Sequence, residues 1–202
     1  MFDRHLRPLI DPPLNRLGHR LAAAGATANA VTMAGLLAGL LAAGAIVIGA
    51  FAVALVLILV SRLMDGLDGA VARARGPSDF GGYLDITADF LFYGAVPLGF
   101  VLLDPAANGT AGAFLLLSFY VNGATFLGFA VLAEKHGLRS QSHGVKSLYF
   151  TAGLLEGTET ILFFVALCLW PQYFAAMAWV FGGLCLLTAL ARVLLARRVF
   201  PG

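Results

Sequence analysis

Residues 61–94 read SRLMDGLDGAVARARGPSDFGGYLDITADFLFYG and hold four aspartates in two pairs, Asp65 with Asp68 and Asp85 with Asp89. At about 100° per residue, spacings of three and four put each pair on one face of a helix: Asp65, Asp68, Gly69 and Ala72 on the first, and Gly81, Asp85 and Asp89 on the second. Four carboxylates gathered closely repel one another and take up protons unless cations are present, and an all-oxygen donor set favours Mg²⁺, Mn²⁺ or Ca²⁺ over zinc. Two metal ions are the natural reading, and such pairs assist phosphoryl-type transfer by bridging ligand oxygens. The lack of side-chain bulk at Gly69 and Ala72 leaves room for a phosphate-bearing ligand, and Arg73 offers a fork of donors to it. A lone acid would read as a buried polar patch or part of an ion pathway. Four at these spacings on adjoining helices are hard to explain by packing.

The elements that carry these acids lie in an unusually apolar chain. Of its 202 residues, 60% are hydrophobic and 12% charged, against about 45–50% and about 25% in soluble domains. An integral membrane protein is therefore expected, all-α, with six spanning helices and no second soluble domain, because one span takes about 20 residues. Residues 30–60 carry no charge, too long for one straight span, so a turn is expected near Gly49 or Ala50. The helices then cover 30–48, 51 onward past Ser61, 82–103, 113–132, 147–169 and 174–195. Counted from Phe51 at about 1.5 Å per residue, Asp65 and Asp68 lie about 21 and 26 Å along the second helix. Asp85 and Asp89 lie about 5 and 11 Å into the third, so an antiparallel hairpin would bring all four to a common depth at one face of the membrane.

Net charge is only +2, and nucleic acid is not implied; the positions of the charges say more. All thirteen Lys and Arg residues precede the first helix, close the chain, or fall at the links after the second and fourth helices, while the alternate links contain none. Positive residues concentrate on the cytoplasmic side, so both termini are predicted to be cytoplasmic. Residues 1–29 form an N-terminal segment ahead of a membrane domain at 30–202. Within it, residues 6–24 mix Leu and Ile with Arg and His as an interfacial helix would, although prolines weaken the helical reading at its start and a solvated tail is the alternative. The segment lacks a signal peptide's short apolar stretch. Cys168 and Cys185 lie inside apolar runs with no pairing pattern and read as packing residues.

The motif resembles the signature of the CDP-alcohol phosphotransferase family, Asp-x-x-Asp-Gly-x-x-Ala-Arg, a spacer, then Gly-x-x-x-Asp-x-x-x-Asp. Asp65, Asp68, Gly69, Ala72, Arg73, Gly81, Asp85 and Asp89 match every fixed position, with a spacer one residue shorter than is usual. The resemblance implies an integral membrane enzyme that transfers a phosphatidyl group from a CDP-linked donor, usually CDP-diacylglycerol, to an alcohol and releases CMP. It implies that Asp65, Asp68, Asp85 and Asp89 hold two divalent cations, Mg²⁺ or Mn²⁺, that Asp89 also deprotonates the attacking hydroxyl, and that the protein is a homodimer. Gly69, Ala72, Arg73, Ser78 and Gly81 would contact the donor. Asn29 and Thr32, from a segment that lacks the family's usual proline, would contact the cytidine side.

The acceptor is less defined. Asn122, Arg139, Lys146, Glu156 and Glu159 are polar residues near the bundle's mouth or inside it; Lys146 and Arg139 suit an anionic acceptor, while Glu156 and Glu159, read as two to three turns into the fifth helix, suit a cationic or polyhydroxyl one. Phosphatidylglycerophosphate synthases of this family usually carry an arginine in the first helix, and residues 31–48 contain none, which disfavours glycerol 3-phosphate. Inositol phosphate, serine, choline and ethanolamine stay open, as does transfer from CDP-choline or CDP-ethanolamine to diacylglycerol. A rival of another class is a small divalent-cation or proton-coupled transporter, but no internal repeat is visible and the acids cluster at one face.

Overall fold

A computed structural model describes residues 3–137, 155 and 157–200. Among the described residues it is helical, with no strand: α1 (Asp3–Ala23), α2 (Ala28–Val47), α3 (Phe51–Arg75), α4 (Asp79–Leu103), α5 (Pro105–Lys135), α6 (Gly157–Leu169), a short 3₁₀ turn (Pro171–Tyr173) and α7 (Phe174–Val199). Among the described residues, four segments are long and apolar enough to cross a membrane: Ala28–Val47, Asp79–Leu103, Pro105–Lys135 and Pro171–Val199. The sequence led us to expect six. α3 is as long as α4, but Arg62, Asp65 and Asp68 interrupt its apolar length, and α6 has 13 described residues.

Side-chain caps set several boundaries. Thr27 accepts from Ala30 N at 3.2 Å to open α2, and Ser78 accepts from Gly81 N at 3.1 Å to open α4 earlier than residue 82. Asp104 accepts from Ala107 N at 3.0 Å with Pro105 next in line, so α5 starts at Pro105 and not near residue 113. Proline fits the first helical turn because its missing N–H has no partner there in any case. The expected turn between the first two spans falls at Gly49, whose φ of +73° needs a residue without a Cβ. Leu155 lies outside a helix and its N–H donates to Thr188 Oγ1 at 3.3 Å. α6 therefore begins at Gly157, and Glu159 sits in its first turn, not two to three turns in.

α1 stays helical through Pro8, Pro12 and Pro13 and packs on α3. Gly18 permits this contact, since a Cβ there would come within 2.5 Å of the Ala70 Cβ. α2 packs along both α3 and α4, and these two reach each other through side chains, Arg62 of α3 to Asp89 of α4 and Asp65 and Asp68 to Asp85. The small residues of α2 allow its approach, as is usual between helices in lipid. A Cβ on Gly39 would meet the Phe92 ring at 2.5 Å and Ser61 Oγ at 3.1 Å. The resulting space between α3 and α4, closed on one side by α2, is where the acids meet. Beyond it lies an aromatic core: Phe92 against Phe164, and Phe100 stacked on Phe174 with ring centroids 4.9 Å apart. Cys168 and Cys185 are buried and form no disulfide.

Gly39→Val should push α2 off α4 by driving branched carbon into Phe92. Overpacking of this kind costs about 1–3 kcal/mol, so thermal unfolding in detergent should begin at a lower temperature, and an unchanged transition would contradict the close approach.

Candidate functional site: a carboxylate cleft with its own arginine

Asp65 and Asp68 from α3 and Asp85 from α4 each place a carboxylate oxygen within 4.8 Å of the others. Asp68 is buried, 5% exposed, and its Oδ2 accepts from the hydroxyl of Thr32, also buried, at 2.6 Å. Asp89 is drawn aside: its Oδ1 accepts from Arg62 Nη1 at 2.7 Å. The same nitrogen lies 3.7 Å from Asp65 Oδ1. The sequence placed all four acids together, whereas three cluster and the fourth pairs with an arginine. It also counted Arg62 among the charges of a link between spans; the structure puts Arg62 well inside α3, its side chain only 10% exposed. The guanidinium lies over the Phe92 ring, 3.9 Å from the centroid, and Nη2 donates to Ser61 Oγ at 3.2 Å. Thr32, Ser61, Arg62, Asp65, Asp68 and Asp89 line one shared cleft.

This donor set fits a small divalent cation. Two oxygens on one Mg²⁺ at about 2.1 Å each can be no more than about 4.2 Å apart, and small side-chain rotations bring oxygens within 4.8 Å to that spacing. All donors are oxygen, as hard cations prefer.

The residues expected to meet the donor lie at the same end of α3 and α4. Gly69 leaves space beside the Arg73 guanidinium, whose Nη1 would be 3.3 Å from a Cβ on Gly69. Arg73 donates through Nη2 and Nε to Asn15 Oδ1 of α1, at 2.8 and 3.3 Å. Nothing in the motif pointed to Asn15. Ala72, half-buried, accepts the Gly76 N–H that closes α3. Gly81 sits in the first turn of α4 where a Cβ would lie 3.0 Å from Ser78 Oγ and 3.2 Å from Asn29 Oδ1, which brings Ser78, Gly81 and Asn29 together. Thr32, expected on the cytidine side with Asn29, donates its hydroxyl to Asp68.

The acceptor candidates are scattered. Asn122 accepts from Arg192 Nη1 through both its backbone oxygen and Oδ1 at 2.9 Å, with Thr125 Oγ1 at 3.0 Å. Arg192 is thus buried between α5 and α7 and does not act as a charge at the chain's end. This group shares no residue with the carboxylate cleft. Glu159 is half-buried at the start of α6. Arg139, Lys146 and Glu156 lie outside the described residues.

With this geometry in hand, comparison with known proteins assigns the class. The profile of the CDP-alcohol phosphatidyltransferase family matches residues 26–198, and the chain belongs to that family of membrane phospholipid-synthesising transferases. The transporter reading is set aside. Relatives include the inner membrane protein YnjF of Escherichia coli (strain K12), 49% identical over 96% of this chain and 94% of that protein. An archaetidylinositol phosphate synthase of Pyrococcus horikoshii is 32% identical over 83% of this chain and 90% of its own. The phosphatidylinositol phosphate synthase PgsA1 of Mycobacterium tuberculosis, solved with CDP-DAG bound, shares the fold with a TM-score of 0.65 at 22% identity, covering 91% of this chain and 93% of that one. The same enzyme has also been solved in complex with manganese and citrate.

Replacing Thr32 with Val keeps shape and removes the donor to Asp68. A buried acceptor left unpaired costs about 1–3 kcal/mol, so the variant should unfold at a lower temperature in chelator-treated detergent solution; wild-type stability there would show that Asp68 does not depend on Thr32.

Proposed function

We propose that the protein transfers the phosphatidyl group of CDP-diacylglycerol to a hydroxyl of a small alcohol and releases CMP. The observation that carries this reading is the convergence of Asp65, Asp68 and Asp85 from two helices, with Asp89 in the same cleft as Asp65 and Asp68; Ser78, Gly81 and Asn29 meet at the start of α4, and Arg73 lies in the last turn of α3. Both termini and the cleft mouth face the cytoplasm of an inner membrane, and the enzyme works as a homodimer.

Asp65, Asp68 and Asp85 would hold two divalent cations, Mg²⁺ or Mn²⁺, with Asp89 a shared ligand of the second. When bound, the cations supply positive charge against the diphosphate as its negative charge shifts. The chain's own residues do the rest. Arg73, fixed by Asn15, offers its remaining donors to a phosphate oxygen. Gly81, without a Cβ, leaves space beside Ser78 and Asn29 at the start of α4, and Gly69 and Ala72 leave room for the nucleotide. Thr32 keeps Asp68 oriented. Asp89 accepts the acceptor's hydroxyl proton as that oxygen bonds to the lipid-linked phosphorus. The bond from this phosphorus to the oxygen bridging it to the CMP phosphate breaks, and CMP leaves with the bond's electron pair. A carboxylate base is useful because an alcohol near pH 7 is a poor nucleophile.

For the acceptor we favour an inositol phosphate, supported by the archaetidylinositol phosphate synthases among its relatives and by the absence of an arginine in residues 31–48.

The test is CMP release by the purified protein from CDP-diacylglycerol with Mg²⁺ or Mn²⁺ and a panel of alcohols. Release is expected to need the metal and an acceptor, and to be fastest with inositol phosphate; no release with any acceptor would overturn the reading, and preference for another alcohol would overturn only the acceptor. Two variants separate the roles. Asp89→Asn should retain nucleotide binding and lose turnover by about 10²-fold or more, while Asp65→Asn should weaken divalent-ion binding. Full activity in either would remove its assigned role.

A further inference from the structure

The reaction does not call for an arginine at position 62, and an arginine inside an apolar helix is expensive. Its surroundings are specific. The guanidinium is held on the Phe92 face at 3.9 Å, by Ser61 Oγ at 3.2 Å and by Asp89 Oδ1 at 2.7 Å. Nη1 reaches carboxylates of both helices, Asp89 on α4 and Asp65 on α3. Nε is buried without a partner, so the side chain is placed by the carboxylates and the ring and not by full satisfaction of its own donors. One positive charge is thereby fixed inside the carboxylate group, at less than 4 Å from two of its members.

We propose that Arg62 is the site's resident cation: a positioning residue that holds Asp89 and, by repulsion, weakens divalent-ion binding to the four carboxylates until the donor's diphosphate adds negative charge. Rested on the metal-binding role proposed above, this makes firm ion binding depend on the donor. Like charges a few ångströms apart in a poorly solvated cleft interact strongly, so removing the guanidinium charge should be felt directly in ion affinity. A purely structural arginine would affect stability and leave the affinity of the folded protein unchanged.

Mn²⁺ binding to the purified protein in detergent, followed by electron paramagnetic resonance with and without CDP, tests this without turnover. Wild type should bind Mn²⁺ more tightly when CDP is present. Arg62→Gln should bind Mn²⁺ about tenfold more tightly than wild type without CDP, and gain less from CDP. Arg62→Lys, which keeps the charge, should stay close to wild type. Equal or weaker Mn²⁺ binding by folded Arg62→Gln, or no effect of CDP on wild type, overturns the proposal. No Mn²⁺ binding by wild type at all overturns it together with the metal reading on which it rests. Should Arg62→Gln not fold, Asp89→Asn is compared with Asp89→Asn/Arg62→Gln, in which the ion pair is removed as a unit. Loss of Arg62 must still tighten Mn²⁺ binding there, and equal affinities overturn the proposal.

Discussion

A carboxylate held among apolar helices must find a partner, because desolvating it unpaired costs far more than any packing around it returns. The arrangement of α2, α3 and α4 can be understood from that constraint. Asp68, which is buried, takes a hydroxyl donor from Thr32, and Asp89 takes the guanidinium of Arg62. Both partners come from neighbouring helices, so the charges cannot be satisfied unless α2 and α3 lie close beside them. The small residues of α2 make this possible. Gly39 brings the helix against Phe92, and Phe92 in turn supports Arg62.

What remains after these pairings is a set of three oxygens from Asp65, Asp68 and Asp85 with more negative charge than the protein itself neutralises. In the proposed function a divalent cation would answer that excess, and a diphosphate would answer the cation. Around this centre the caps act as positioning devices: Ser78 fixes where α4 begins and therefore where Asp85 and Asp89 point, and Asn15 of α1 fixes Arg73. α1 thus contributes to the site although it precedes the membrane helices.

Much of this was legible in the sequence because periodicity and chemistry agreed. The paired spacings put the acids on facing helices, and the turn at Gly49 followed from a charge-free run too long for one span. The misses share a physical cause. Arg62 and Arg192 were read by sign, as loop charges, when their side chains reach buried partners: Asp89 for one, Asn122 and Thr125 for the other. The bond of Thr32 to Asp68 joins two helices, which local spacing does not encode. The start of α5 at Pro105 and of α6 at Gly157 depended on an Asp104 cap and on a bond from Leu155 to Thr188, which hydropathy does not register. The packing of α2 along both α3 and α4 is a tertiary fact that local spacing does not encode.

The central claim, that this carboxylate cleft is where cations and the CDP-linked donor meet, is tested most directly by anomalous diffraction from crystals grown with Mn²⁺ and CDP-diacylglycerol. The account predicts manganese peaks among Asp65, Asp68, Asp85 and Asp89, with the donor's diphosphate against them and the cytidine toward Asn29 and Ser78. Manganese bound elsewhere, or a nucleotide seated away from α3 and α4, would contradict it.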